Sequence, residues 1–322
     1  MKRAFTLIEL LVVIGIIGVL MGIMLVGFSG STESARSAQC LSNMRNLAAA
    51  CQTYGSANAR YPFAGSIEYM KIDEQHQGHR IIANPLYQEV PGWISWASRG
   101  AYKNKARSHQ ASAAWMISTY STDEEERLFC LTNGALWKYV SGNRQTYVCG
   151  NHVKKFPKNP PLWSYVMNAY FGWDTSKGSS AQGQSFSHVR YGNLDRADRY
   201  LLFAELQFLD CGLPIPDGSG SGTECDTVLQ YSVSSARSGR SHGANSAEGT
   251  GNEVIGVNHK NGRNLLAHVA FADGHTEKLR IPYSGSIKKP QVDESMLRNL
   301  TAWLCTGEDV SFDGKRYQRM DN

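Results

Sequence analysis

The stretch from Phe5 to Phe28, FTLIELLVVIGIIGVLMGIMLVGF, constrains this chain more than any other. It is apolar except for Thr6 and Glu9. As a helix rising roughly 1.5 Å per residue it would reach about 36 Å, enough to cross a bilayer. Lys2 and Arg3 precede it and favour a cytoplasmic N-terminus. Glu9 is the anomaly, because a carboxylate in an apolar helix is costly, marks a function and calls for a partner. A removable secretory signal fits poorly: nothing from Leu10 to Phe28 is polar, whereas a signal core runs only about 7–15 residues. A plain anchor would have no use for Glu9.

After a polar hinge at Ser29 to Thr32, the helical pattern resumes. Cys40, Met44, Leu47, Cys51 and Tyr54 recur at spacings of four and three, forming one apolar stripe, with Arg36, Asn43 and Gln52 on the opposite face. Gly55 and Pro62 are stop signals. The pattern divides the chain into an apolar helix over 5–28, an amphipathic stem over 29–60 and a head over 61–322. With 322 residues, 42% hydrophobic and 19% charged, the remainder is expected to fold. The net charge of +5 is too small to argue for nucleic acid as a partner.

In the head, Ser121 to Val140 reads as a helix with an acidic first turn, broken near Asn133-Gly134. Gln145 to Gly150, Ser164 to Trp173 and Arg199 to Leu209 read as strands, the last a central one. The sharpest signal is Asn258 to Tyr283, where Asp273-Gly274 sits between two alternating runs and predicts a two-residue hairpin. Leu265, Ala267, Val269 and Phe271 would face one side, and Leu266, His268 and Ala270 the other. Glu294 to Cys305 reads as a short helix, and 217–224 and 232–252 as surface loops. The fold class expected is α+β, a long N-terminal helix packed on an antiparallel sheet.

The N-terminal run, with Ala4 before Phe5 and Glu9 four residues on, resembles the signature of type IV pilins and of type II secretion pseudopilins. The resemblance implies a leader over 1–4, cut by a prepilin peptidase between Ala4 and Phe5, and methylation of the new Phe5 amine. It implies that Glu9 neutralises the Phe5 ammonium of a neighbouring subunit. The family usually carries Gly before the cut; here it is Ala4. The implied partners are the peptidase, further subunits of a homo-oligomeric filament, the inner-membrane assembly machinery and the membrane. The implied location is the inner membrane, with the head in the periplasm or outside the cell.

The head adds a second resemblance, to a large group of bacterial prepilin-type proteins. It rests on Leu136 to Val140, Cys149, Ser164 to Asn168, Glu205, and His259 with Asp273-Gly274. It fixes architecture more than activity.

Seven cysteines leave at least one thiol unpaired in a monomer. By sequence the closest pairs beyond the stem are Cys130 with Cys149 and Cys211 with Cys225, which makes these the candidate disulfides. His259, His268, Asp273 and His275 crowd one region, and imidazole with carboxylate suits a metal. The turn itself needs Asp273, however, and no two of these histidines sit at the helical i, i+4 spacing, so no metal is expected. Glu205 is expected to pair with His259 or Arg263 as a structural contact. Trp93, Trp96, Trp163, Trp173 and Trp303 could bind glycans, though core burial is the default for such residues. No nucleophile elbow, phosphate loop or Cys-x-x-Cys is present, so neither enzyme activity nor a cofactor is expected. The expected function is a structural filament subunit. The alternatives are a membrane-anchored module for a polysaccharide or secreted substrate and, behind it, a metal-dependent hydrolase.

Overall fold

The computed structural model describes residues 7–64, 71–72, 81–82, 92–95, 124–158, 160–168, 171, 190–208, 227–229, 254–307, 311–312 and 315–316. Helix α1 spans Leu7–Asn58 without interruption. The hinge expected at Ser29 to Thr32 therefore falls inside a continuous helix. Its first part is exposed all round: Leu7, Ile8, Leu10, Leu11, Ile14, Leu20 and Met21 all lie in water in the isolated chain. Among the described residues no helix is long and apolar enough to cross a membrane.

From Ser37 onward α1 becomes part of the head. Of the expected stripe, Cys40, Met44, Leu47 and Cys51 are fully buried, joined by Ala48, while Tyr54 is half-buried. The buried face is wider than the periodicity suggests. Asn43, expected on the polar side, is buried and donates from Nδ2 to the carbonyls of Gln145 and Val148, both at 2.9 Å. Gln52, also expected there, donates to the carbonyl of Asp273 at 2.6 Å. The head wraps more than one side of the helix, and the polar residues satisfy backbone groups that the wrapping segment would otherwise leave bare.

Strands β1 (Lys71–Ile72) and β2 (Ile81–Ile82) form a small ladder. Helix α2 (Glu124–Thr132) ends where Gly134 packs on the backbone of Trp93 and Ile94, matching the expected break. The segment expected as a strand at Gln145 to Gly150 is instead a 3-10 turn, Arg144–Tyr147, leading into helix α3 (Gly150–Lys155). Asn143 caps that turn by accepting from the Gln145 N–H, and a local cap of this kind outcompetes a ladder for so short a run.

The main sheet contains β3 (Tyr165–Asn168), β4 (Leu201–Glu205), β5 (Val228–Leu229), β6 (Val257–Asn261), β7 (Asn264–Phe271) and β8 (Thr276–Ile281). It is antiparallel except where β3 meets β5. β8 runs along one edge of β7, pairing Leu265 to Ala270. A strand has only two edges, so β4 and β6 share the other: β4 pairs with Val269 to Phe271, and β6 with Asn264 to Ala267. Where they meet, the Gly256 N–H donates to the Glu205 carbonyl at 2.8 Å, and the side chains of Gln207 and Asn258 stitch the diverging chains together. This seam positions the site. Beyond it come the ladder of β9 (Ser284–Ser286) with β10 (Lys289–Gln291), helix α4 (Glu294–Thr306), and the pair β11 (Ser311–Phe312) and β12 (Lys315–Arg316). Asp293 caps α4 by accepting from the Met296 N–H. α4 packs on β4, all five residues of which are buried.

The expected two-residue turn lies elsewhere. The two-residue turn is Gly262-Arg263, between the paired Asn261 and Asn264. Asp273-Gly274 belongs to a longer turn, closed by the Phe271 N–H donating to the His275 carbonyl. Only Gly274 has a positive φ there, +96°, so Asp273 is not in the conformation that a type I′ turn needs.

Candidate functional site

Glu205 at the end of β4, His259 in β6 and His268 in β7 meet at the seam, beneath α1. All three are fully buried. His259 Nε2 lies 3.1 Å from Glu205 Oε1, so the expected structural pairing is with His259. His268 stacks on His259, ring centroids 4.1 Å apart, and its Nε2 lies 3.0 Å from Ser37 Oγ on α1. The other nitrogen of His259, Nδ1, lies 3.1 Å from Glu33 Oε1, also on α1. Asn151 at the start of α3 donates to the same oxygen at 2.7 Å.

Two sulfurs complete the cluster. Cys40 of α1 and Cys149, just before α3, stand with Sγ atoms 2.6 Å apart, and Cys149 Sγ is 3.4 Å from His259 Nε2. This corrects the expected partner of Cys149: it faces Cys40 rather than Cys130, because the segment 144–149 lies along α1. Cys130 and Cys149 are both buried free thiols. Cys211 and Cys225 lie outside the described residues.

The electrostatics follow from burial and pairing. Burial alone would raise the Glu205 carboxyl and lower His259, but each is opposed by the other's charge. The outcome is a carboxylate held far below its ordinary range and a His259 held far above its own. His268 is lowered by burial, which outweighs the pull of Glu205. Burial pushes the Cys149 thiol up. The site is therefore a buried imidazolium between two carboxylates, with neutral His268 and the Cys149 thiol beside it.

The rest of the expected motif lies elsewhere. Asp273 and His275 pair with each other at the turn, 2.5 Å apart and partly exposed, away from the seam. Yet both ends of the His259…Asp273-Gly274 motif engage the stem. His259 holds Glu33, and the turn holds Gln52, whose amide would lie 2.7 Å from a Cβ added at Gly274. The tyrosine after the helix, Tyr61, donates to the Ala272 carbonyl at 3.2 Å. The motif thus serves as a two-point dock for α1. Trp93 and Trp163 are buried in the core, and Trp303 is half-buried; Trp96 and Trp173 lie outside the described residues. Glu9 is an exposed position of α1; Ala4 and Phe5 lie outside the described residues. Glu33, Cys40 and Asn151 carried no signal as site residues, since only the crossing of α1 over the seam brings them there.

No curated protein and no solved structure matches the chain. Residues 1–25 match the family described as the prokaryotic N-terminal methylation motif. At its N-terminus, ahead of an α+β head docked on the same helix, the chain carries the prepilin-type signature of pilins and pseudopilins.

Proposed function

We propose that this chain is a structural subunit of a type IV pilus-like or type II pseudopilus-like filament. The observation that carries the reading is the division of one helix. Its start, Leu7 to Met21, is apolar apart from Glu9 and exposed all round, while Ser37 to Cys51 is built into the head. An apolar rod fixed rigidly to a folded head suits a subunit that leaves a bilayer to stack its rod among identical rods. In this reading 5–28 lies in the inner membrane before assembly, with the head on the far side. A prepilin peptidase removes 1–4, and the Phe5 amine is methylated. In the filament core, burial of the Phe5 ammonium without a partner would cost several kcal/mol, and Glu9 of a neighbour supplies the carboxylate.

Intact-mass analysis of the protein from its own host tests the processing step, with a mature chain starting at a methylated Phe5 as the expected result. A retained Met1 overturns the reading. Glu9→Ala should leave leader removal and protein level normal and abolish filaments in electron micrographs; filaments in normal numbers would refute the role of Glu9.

A further inference from the structure

We propose that Cys40, Cys149, His259 and Glu205 form a closed zinc site that fastens the stem helix to the sheet. The inference stands independently of the filament reading. One donor atom from each residue lies within 4.8 Å of every other, and all four residues are buried. They come from four separate segments: α1, the approach to α3, β4 and β6. Two thiolates, an imidazole and a carboxylate are a donor set that zinc takes in tetrahedral geometry.

The distances fit in part and indicate what must move. Bonds of about 2.3 Å to sulfur and about 2.0 Å to nitrogen or oxygen give tetrahedral edges of roughly 3.3–3.8 Å. Cys149 Sγ to His259 Nε2, at 3.4 Å, and Nε2 to Glu205 Oε1, at 3.1 Å, are already close to such edges. The two sulfurs, at 2.6 Å, must separate by rotation about Cα–Cβ. Their separation is also longer than the roughly 2.05 Å of a disulfide bond, so the sulfurs alone leave two fates open.

The surroundings decide between them. A carboxylate can only accept, so Glu33 at His259 Nδ1 places the ring proton on that nitrogen. Once the Nε2 proton leaves, the lone pair on that nitrogen faces Cys149 Sγ and Glu205 Oε1. A carboxylate on the far nitrogen of a ligating imidazole is the usual support of a metal site. Glu205 points the same way, since its Oε2 is buried and has no hydrogen-bond partner. A disulfide would use two of the four donors and leave that oxygen bare. A metal ion would use all four, with the two thiol protons and the Nε2 proton of the His259 imidazolium released on binding.

The test uses the full chain, purified in detergent without chelator and loaded with zinc sulfate. Elemental analysis should give one zinc per chain, and X-ray absorption at the zinc edge should show two sulfur and two lighter donors. Cys149→Ser and His259→Gln should lose the metal, whereas Cys130→Ala should keep it. Glu33→Gln should keep the ligands and weaken zinc binding by roughly ten- to a hundredfold. The absorption spectrum needs no variant, so a misfolded mutant does not obscure the answer. The proposal is overturned by a metal-free chain lighter by two hydrogens, with Cys40 and Cys149 joined in one peptide. It is equally overturned by a metal-free chain with both thiols open to alkylation after unfolding, or by zinc bound without sulfur.

Discussion

Glu33 and His259 stand 226 residues apart in sequence and 3.1 Å apart in space, one on the stem helix and the other on the sheet. Their contact fixes the rotation of α1 about its own axis, because one turn either way would carry Glu33 off the seam. The partners are unequally placed: Glu33 is partly open to water, while Glu205, on the other side of His259, is sealed. Loss of the first should therefore cost less. Glu33→Ala is expected to lower the stability of the head by about 1–2 kcal/mol. Glu205→Ala should cost about 3–5 kcal/mol, since it leaves a buried charge uncompensated. Urea unfolding followed by tryptophan fluorescence ranks the two, and the reverse order would place the main anchor at the stem rather than in the sheet.

The seam itself makes a second prediction. A Cβ added at Gly256 would come within 2.5 Å of the Leu206 carbonyl and 2.6 Å of the Glu205 carbonyl. The carbonyls of Glu205 and Leu206 are backbone and cannot swing aside, so Gly256→Ala must push β4 and β6 apart just where Glu205 and His259 meet. The loss should exceed about 2 kcal/mol, in the range of severe overpacking. Gly262→Ala is the comparison: open space surrounds it, and only the positive φ of +58° resists, for a cost near 1 kcal/mol. Equal shifts of the two melting temperatures would show that the seam is not tightly packed.

Part of this was legible in the sequence. The stripe Cys40, Met44, Leu47, Cys51 needs only helical period, and it is buried as read. The short helix read over Glu294 to Cys305 is α4. The strand at Arg199 to Leu209 was visible as an apolar run. What could not be read was anything set by which strands share an edge. Nothing local says that β4 and β6 abut along β7, so nothing local says that Glu205 meets His259 rather than Arg263, or that Cys149 meets Cys40 rather than Cys130. The turns have a local cause: two Gly-containing turns flank β7, and the two-residue one is Gly262-Arg263, while Asp273-Gly274 lies in the longer one.

His152 in α3 gives the head a sensitivity to acid. Its ring is buried, stacked flat on Phe208 at 4.5 Å, with Nδ1 2.9 Å from Ser164 Oγ. Burial lowers its pKa from the ordinary 6.5 to about 3, against a small opposing pull from Glu205. The folded state keeps the ring neutral while the unfolded chain protonates it, so the unfolded state binds more protons and stability falls with falling pH. The loss begins as pH drops through about 6.5 and continues toward about 3, approaching roughly 1.4 kcal/mol per unit within that window. His152→Gln should flatten the curve of unfolding free energy against pH over that range, even if it lowers stability at neutral pH. Parallel curves for the two proteins would remove His152 as the cause.

The last prediction separates the two halves of α1. A chain beginning at Ser29 discards the exposed apolar residues Leu7 to Met21 but keeps Glu33, Ser37, Cys40 and everything beyond that the head buries. It should be soluble, monomeric by gel filtration, and cooperative in unfolding. A chain beginning at Ala59 also loses Cys40, Met44, Leu47, Ala48, Ala50 and Cys51 from the core. At roughly 1.5–3 kcal/mol for each large apolar side chain left without its partners, that removal rivals the whole stability of an ordinary domain, about 5–15 kcal/mol. It also strips the cover from His268 and uncaps the cluster of Glu205 and His259, opening a buried charge pair to water. The shorter chain should therefore show no cooperative transition and should aggregate. If it folds and melts as sharply as the longer one, α1 is an attachment to the head rather than part of its core, and the two-point dock at Glu33 and Gln52 does not hold the fold together.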